Sequence, residues 1–180
     1  MLFFILVFIA IIVYLVWGIN YNMEENQKKK EESNSISEKG KEYNAEYSTK
    51  IKHICGLPLS ENSECVIHLC DSQIVIEGTG SIFKLKKNKI LDMNIKTANE
   101  VKNSISGAVG GAILFGPIGA FIGGSSTEFH RFFIIIYKDE EKKEKCISFD
   151  MKDDLKSFKE IKKYIEGFKN NIKFKEEINL

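Results

Sequence analysis

Four regimes of hydrophobic and polar patterning follow one another along the chain. Leu2 to Ile19, LFFILVFIAIIVYLVWGI, is an unbroken apolar run whose first following charge is Glu24. Its 18 residues make about 27 Å of helix, close to the roughly 30 Å of a bilayer's hydrocarbon core. Tyr14, Trp17 and Tyr21 cluster at its end, where amphipathic rings favour a membrane interface. No basic residue precedes the run, and Trp17-Gly18-Ile19-Asn20 is a poor cleavage site for a signal peptide. The pattern therefore predicts a retained single-pass anchor over residues 1–20. Lys28-Lys29-Lys30 follows the run at once, which predicts that the rest of the chain faces the cytoplasm.

Residues 21–47 are polar and carry no apolar stripe that would face a core. They read as a linker, flexible or partly helical. From residue 48 the period becomes two. Cys65, Ile67 and Leu69 share one face, then Ile74 and Ile76 after the turn at Asp71-Ser72, then Phe83 and Leu85 after Gly78-Thr79-Gly80. Leu91, Met93 and Ile95 continue the alternation. These are half-buried strands joined by tight turns, an antiparallel meander. FHRFFIIIYK reads as a central strand and KCISF as its return across the charged loop Asp139–Lys145. Leu155, Phe158, Ile161, Ile165 and Phe168 then recur at helical spacing, with Asp150 as N-cap and Asp153 in the first turn. Residues 169–180 read as a polar tail.

Between the two groups of strands lies an uncharged, glycine-rich insert, residues 104–126. It lacks the lysine of a nucleotide-binding P-loop. A full membrane crossing there would put the two halves of the sheet on opposite sides, and Gly116-Pro117 breaks its middle. Gly107 and Gly111 before that break, and Gly119 and Gly123 after it, instead place small residues on one face of each of two helical arms. A close-packed helical hairpin follows, with an apolar exterior open to three partners: the domain itself, the bilayer or another copy of the chain.

Strands, insert, strands and a closing helix fit an α+β class, a PH-like antiparallel half-barrel over residues 48–168. His53–Leu69, HICGLPLSENSECVIHL, followed by GAVGGAILFGPIGAFIGG, resembles a group of bacterial proteins with a PH-like or GRAM-like domain. In that group a Gly-Leu-Pro segment opens the domain and a glycine-rich insert interrupts the sheet. The resemblance covers about Lys50 to Phe168 and leaves out the N-terminal run. It implies a fold and supplies no catalytic residue.

Charge and chemistry refine this picture. A net charge of +1 on 180 residues argues against a nucleic-acid partner held by phosphate attraction. The four cysteines, Cys55, Cys65, Cys70 and Cys146, should be reduced in a cytoplasm and read as buried thiols. His53, Cys55, His68 and Cys70 are residue types that bind metals, but Cys65 points the other way and no C-x-x-C pair exists. None of the three histidines sits in a recognisable catalytic spacing, so no catalytic, metal or cofactor residue is nominated. Lys84, Lys86, Lys87 and Lys89 flank a strand turn. They are candidates for contact with anionic lipid, or simply keep a sheet edge from pairing. The function this predicts is a membrane-anchored, non-enzymatic binding or scaffold module. The alternative is a structural envelope protein that self-associates through the glycine-rich segment.

Overall fold

A computed structural model describes residues 2–101, 130–151 and 154–178. Helix α1 runs from Leu2 to Glu42 without interruption. Seven strands follow: β1 (Ala45–Cys55), β2 (Glu64–Cys70), β3 (Gln73–Gly78), β4 (Ser81–Lys86), β5 (Ile90–Thr97), β6 (Arg131–Lys138) and β7 (Glu144–Asp150). Helix α2 closes the chain over Leu155–Ile178. The strands form one antiparallel sheet in the order β4-β3-β2-β1-β7-β6-β5. Each pairing except β1 with β7 joins chain neighbours, so the long strand β1 ties the two meanders together.

The strand period decides what is buried where. Ile67 and Leu69 on β2, Ile74 and Ile76 on β3 and Leu85 on β4 line the inner face with Met93, Phe133, Ile135, Ile147 and Phe149. Against them α2 lays Ile161, Tyr164, Ile165 and Phe168, its apolar stripe at helical spacing. Phe133 and Phe149, cross-strand partners on β6 and β7, stack at 6.1 Å. A second, smaller apolar cluster lies on the outer face of the β1-β7-β6 half. It gathers Ile54, Phe132, Ile134 and Cys146, covered by Ala98 and Val101 of a helical turn after β5.

Several expectations change here. Among the described residues no helix is long and apolar enough to cross a membrane. The single-pass anchor is therefore corrected, and with it the membrane location and cytoplasmic orientation drawn from it. The apolar run is the first part of a single 41-residue helix whose second part is charged, Glu24 to Glu42. Where a polar linker is expected, the chain is helical to Glu42 and β1 already begins at Ala45. The glycine-rich hairpin, with Gly107, Gly111, Gly119 and Gly123, lies outside the described residues. The expected membrane-anchored PH-like half-barrel is thus corrected: within the expected α+β class, the described residues form an N-terminal helix, a seven-stranded antiparallel sheet and a C-terminal helix.

Two local readings also shift. A bulge between Ile90 and Asp92 turns Leu91 outward, 40% exposed, and brings Ile90 into the core beside Met93. The cap of α2 is Asp154, whose Oδ1 accepts the backbone N–H groups of Lys156 and Ser157 at 3.0 and 3.1 Å. Asp150 instead ends β7, buried, with Oδ2 2.8 Å from His130 Nδ1. Leu155 consequently stands in the first turn, exposed.

Candidate functional site

A groove lies where the β2–β3 turn, the end of β4 and helix α2 meet. Asp71-Ser72 makes the turn, and the antiparallel register sets Gln73 opposite Lys86. The chain then leaves β4 in a short 3-10 turn, Lys87–Lys89. The Lys87 N–H donates to Ser72 O at 2.9 Å, which fixes this turn to the previous one. Asn171 of α2 faces both. The resulting groove has a volume of about 660 Å³ and is lined by Asp71, Ser72, Gln73, Lys86, Lys87, Asn88 and Asn171. A second hollow of about 450 Å³ shares Asp71, Lys87 and Asn171 with it and runs on along α2 past Tyr164, Lys163 and Glu160.

The floor is held in place by side chains that are already satisfied. Tyr164 is buried and its hydroxyl donates to Cys70 O at 2.7 Å. Its ring carries the Lys87 ammonium 4.7 Å from the centroid, and Asp71 Oδ1 lies 3.9 Å from the same ammonium. Lys87 thus lays its stem along the aromatic face and keeps its charge at the groove. Carboxylate, ammonium, hydroxyl and amide groups all open onto one depression. Such a lining offers donors and acceptors in alternation, the complement of a polypeptide's own groups.

The four nominated lysines do not converge. Lys86 and Lys87 line the groove. Lys84 stands on the outer face, 5.8 Å from the Tyr43 ring. Lys89 reaches Glu140 in the β6–β7 loop at 3.4 Å. Four ammonium groups in such different directions do not make one flat basic patch.

A second polar group, on the opposite face of the sheet, has no counterpart among the nominated residues. Ser48, His68 and Glu77 come from β1, β2 and β3. His68 is fully buried; its Nδ1 lies 2.8 Å from Ser48 Oγ and its Nε2 3.9 Å from Glu77 Oε1. The end of α1 covers them, with Lys39 Nζ donating to Glu77 Oε2 and Tyr43 Oη to Oε1, each at 2.9 Å. Burial opposes ionisation of Glu77, but these two donors outweigh it and hold its carboxyl below the ordinary value. Serine, histidine and carboxylate in a row resemble a hydrolytic triad in composition only. Gly40 of α1 sits so close that a Cβ on it would fall inside contact distance of Ser48 Oγ, which leaves no room for a substrate at that hydroxyl.

The other nominated chemistry is structural. The His53 ring accepts the Leu57 N–H at Nε2, 3.2 Å, and its Nδ1 lies 3.4 Å from Ser60 O, so it organises the Gly56-Leu57-Pro58-Leu59 loop. Gly56 there has φ +99° and abuts the Cys146 carbonyl. Cys65, Cys70 and Cys146 are buried and Cys55 half-buried, none in a disulfide. Burial pushes the Cys65 and Cys146 thiols up to about 12 and Cys55 up to about 11. Among the described residues no three of the His, Cys, Asp and Glu side chains converge as metal ligands would.

No protein-family model matches the chain, and no curated protein matches it.

Proposed function

We propose that the chain is a non-enzymatic binding module that holds a short polar peptide segment of a partner protein in the groove beside Lys87. The observation that carries this is the groove itself. Its floor is fixed by the Tyr164–Cys70 hydrogen bond and by Lys87 on the Tyr164 ring, and its rim mixes Asp71, Lys86 and the amides of Gln73, Asn88 and Asn171. A preformed site loses little freedom when a ligand settles in it, which favours recognition over a surface that must first order. The divergence of Lys84 and Lys89 from Lys86 and Lys87 supports a peptide over an anionic lipid surface. The resemblance of His53–Leu69 to PH-like and GRAM-like bacterial proteins belongs with the same proposal, since it supplies no catalytic residue. The Ser48 hydroxyl crowded by Gly40 and the raised thiols support the non-enzymatic reading.

The test is a selection of random displayed peptides on the full chain. Binding of the selected peptides is then measured to the parent and to Asn88→Trp, which sets an indole across the exposed rim. A loss of about tenfold or more, equivalent to about 1.4 kcal/mol, is expected. Peptides that bind Asn88→Trp as tightly as the parent would place the site elsewhere and overturn the proposal. So would the absence of any saturable peptide.

A further inference from the structure

The geometry points to the C-terminal end of α1 as a latch on the outer face of the sheet, released when the buried His68 takes up a proton. This goes beyond the groove and does not depend on it.

The latch rests on one carboxylate claimed from two sides. From above, α1 holds Glu77 through Lys39 Nζ on Oε2 and Tyr43 Oη on Oε1, both at 2.9 Å. From below, His68 faces the same Oε1 with Nε2 at 3.9 Å, too far for a hydrogen bond, and that nitrogen has no hydrogen-bond partner. Nδ1 is occupied by Ser48 Oγ at 2.8 Å. The Tyr43 ring covers the imidazole with centroids 5.1 Å apart, and Gly40 seats the helix directly on Ser48. With a neutral imidazole, Glu77 belongs to α1.

Protonation makes both ring nitrogens donors. Nε2–H then faces a carboxylate oxygen at 3.9 Å, about 0.7 Å beyond hydrogen-bond reach. Closing that gap draws Oε1 away from the Tyr43 hydroxyl, and the new charge repels Lys39, which holds Oε2. The surroundings do not relieve the charge by other means. On β4, Lys84 lies 5.8 Å from the Tyr43 ring and adds to the positive side. On β1, Lys50 is engaged at 2.7 Å by both Glu32 and Glu64. On α1, Glu42 acts on Lys39 and Tyr43. On β2 itself, Cys70 donates its thiol to the His68 carbonyl at 3.8 Å. Glu77 is the acidic group that acts directly on the ring.

The sign follows from the same contacts. Burial lowers the His68 pKa from its ordinary 6.5; Glu77 raises it and Lys39 lowers it further, and the net direction is down. The closed form therefore binds the proton more weakly than an open one. Closure is fully present above the ordinary value of 6.5 and is lost as pH falls from there through the lower value of the closed form. Release uncovers the polar face formed by Ser48, His68 and Glu77, while the inner-face core with α2 is untouched.

The experiment is amide hydrogen exchange on the full chain at about pH 7.5 and about pH 5.5, either side of histidine's ordinary range, with rates corrected for their intrinsic pH dependence. Protection over residues 36–44 should fall about tenfold or more at the lower pH, while β6 keeps its protection. In His68→Gln the fall should vanish. In Glu77→Gln the segment should be loose at both pH values. Should His68→Gln fail to fold, the parent chain decides alone: the proton NMR titration of the His68 ring and the opening of residues 36–44 must share one midpoint, below 6.5. Equal protection at both pH values, a fall that persists in His68→Gln, or two separate midpoints would overturn the latch.

Discussion

Replacing Gly40 with alanine sets two opposite effects against each other at one position. In an exposed helix the change stabilises by about 1 kcal/mol, because glycine is the poorer helix former. Here the new methyl group meets the sheet. It falls inside contact distance of Ser48 Oγ and 3.2 Å from Ser48 Cβ. Ser48 can swing its hydroxyl aside, but it then gives up the 2.8 Å contact to His68 Nδ1 and leaves a buried ring nitrogen unpartnered. Such a loss costs about 1–3 kcal/mol. The Cβ contact remains after that rotation, so α1 must also lift, and overpacking typically costs about 1–3 kcal/mol. Even the low ends sum to about 2 kcal/mol. Less the helix gain, Gly40→Ala should lose at least about 1 kcal/mol in urea denaturation of the full chain. Gly167→Ala is the control. It sits within α2 with nothing inside 4 Å of its would-be Cβ, and should gain up to about 1 kcal/mol. A Gly40→Ala chain as stable as the parent would refute the docking of α1 on this face.

The remaining predictions concern other joints of the fold. Gly56→Ala forces a side chain into the left-handed region at φ +99° and onto the Cys146 carbonyl; a thermal melt should show a loss of at least about 2 kcal/mol. Asp154→Ala removes the cap of α2 and should cost about 1 kcal/mol near neutral pH. Burial alone would raise the Asp154 pKa, but the bonds from Ser157 and the Lys156 N–H outweigh it and hold the carboxyl below 3.8. The difference between parent and variant should therefore be full above that value and shrink as pH falls through the lower folded one, read by circular dichroism. Mass mapping after iodoacetamide at about pH 8 should find Cys65 and Cys146 unmodified in the native chain, because burial holds both as thiols. Rapid labelling of both would contradict their packing.

Much of the sheet was legible because strand period alone sorts residues to two faces. Ile67, Leu69, Ile74, Ile76 and Leu85 lie where alternation puts them, and Ile161, Ile165 and Phe168 where helical spacing puts them. Leu91 failed because a bulge reverses the period locally, and no turn residue marks it. The start of β1 was hidden for a different reason. Its inner positions, Tyr47 and Thr49, reach α2 through hydroxyls, 3.0 and 2.8 Å from Ser157 Oγ, and so read as polar sequence. The packing of α1 carried no apolar stripe at all. It rests on the smallness of Gly40 and on Lys39 and Tyr43 converging on Glu77. The groove was legible only at Lys86 and Lys87. Asp71 and Asn171 join them through sheet register and the path of α2, separations that no local motif encodes. His68 stood out in the sequence only beside the cysteines, and its partners lie on two other strands and a helix.

A peptide held in the groove beside Lys87 must leave its mark on the residues that line it. The most direct measurement is chemical-shift mapping of the full chain as a selected peptide is added to saturation. Binding in the groove should give saturable shifts confined to Asp71–Gln73, Lys86–Asn88 and the Tyr164–Asn171 stretch of α2, and their loss in Asn88→Trp. Shifts centred on the β6–β7 loop or on the outer face around Ser48, with the groove silent, would contradict it.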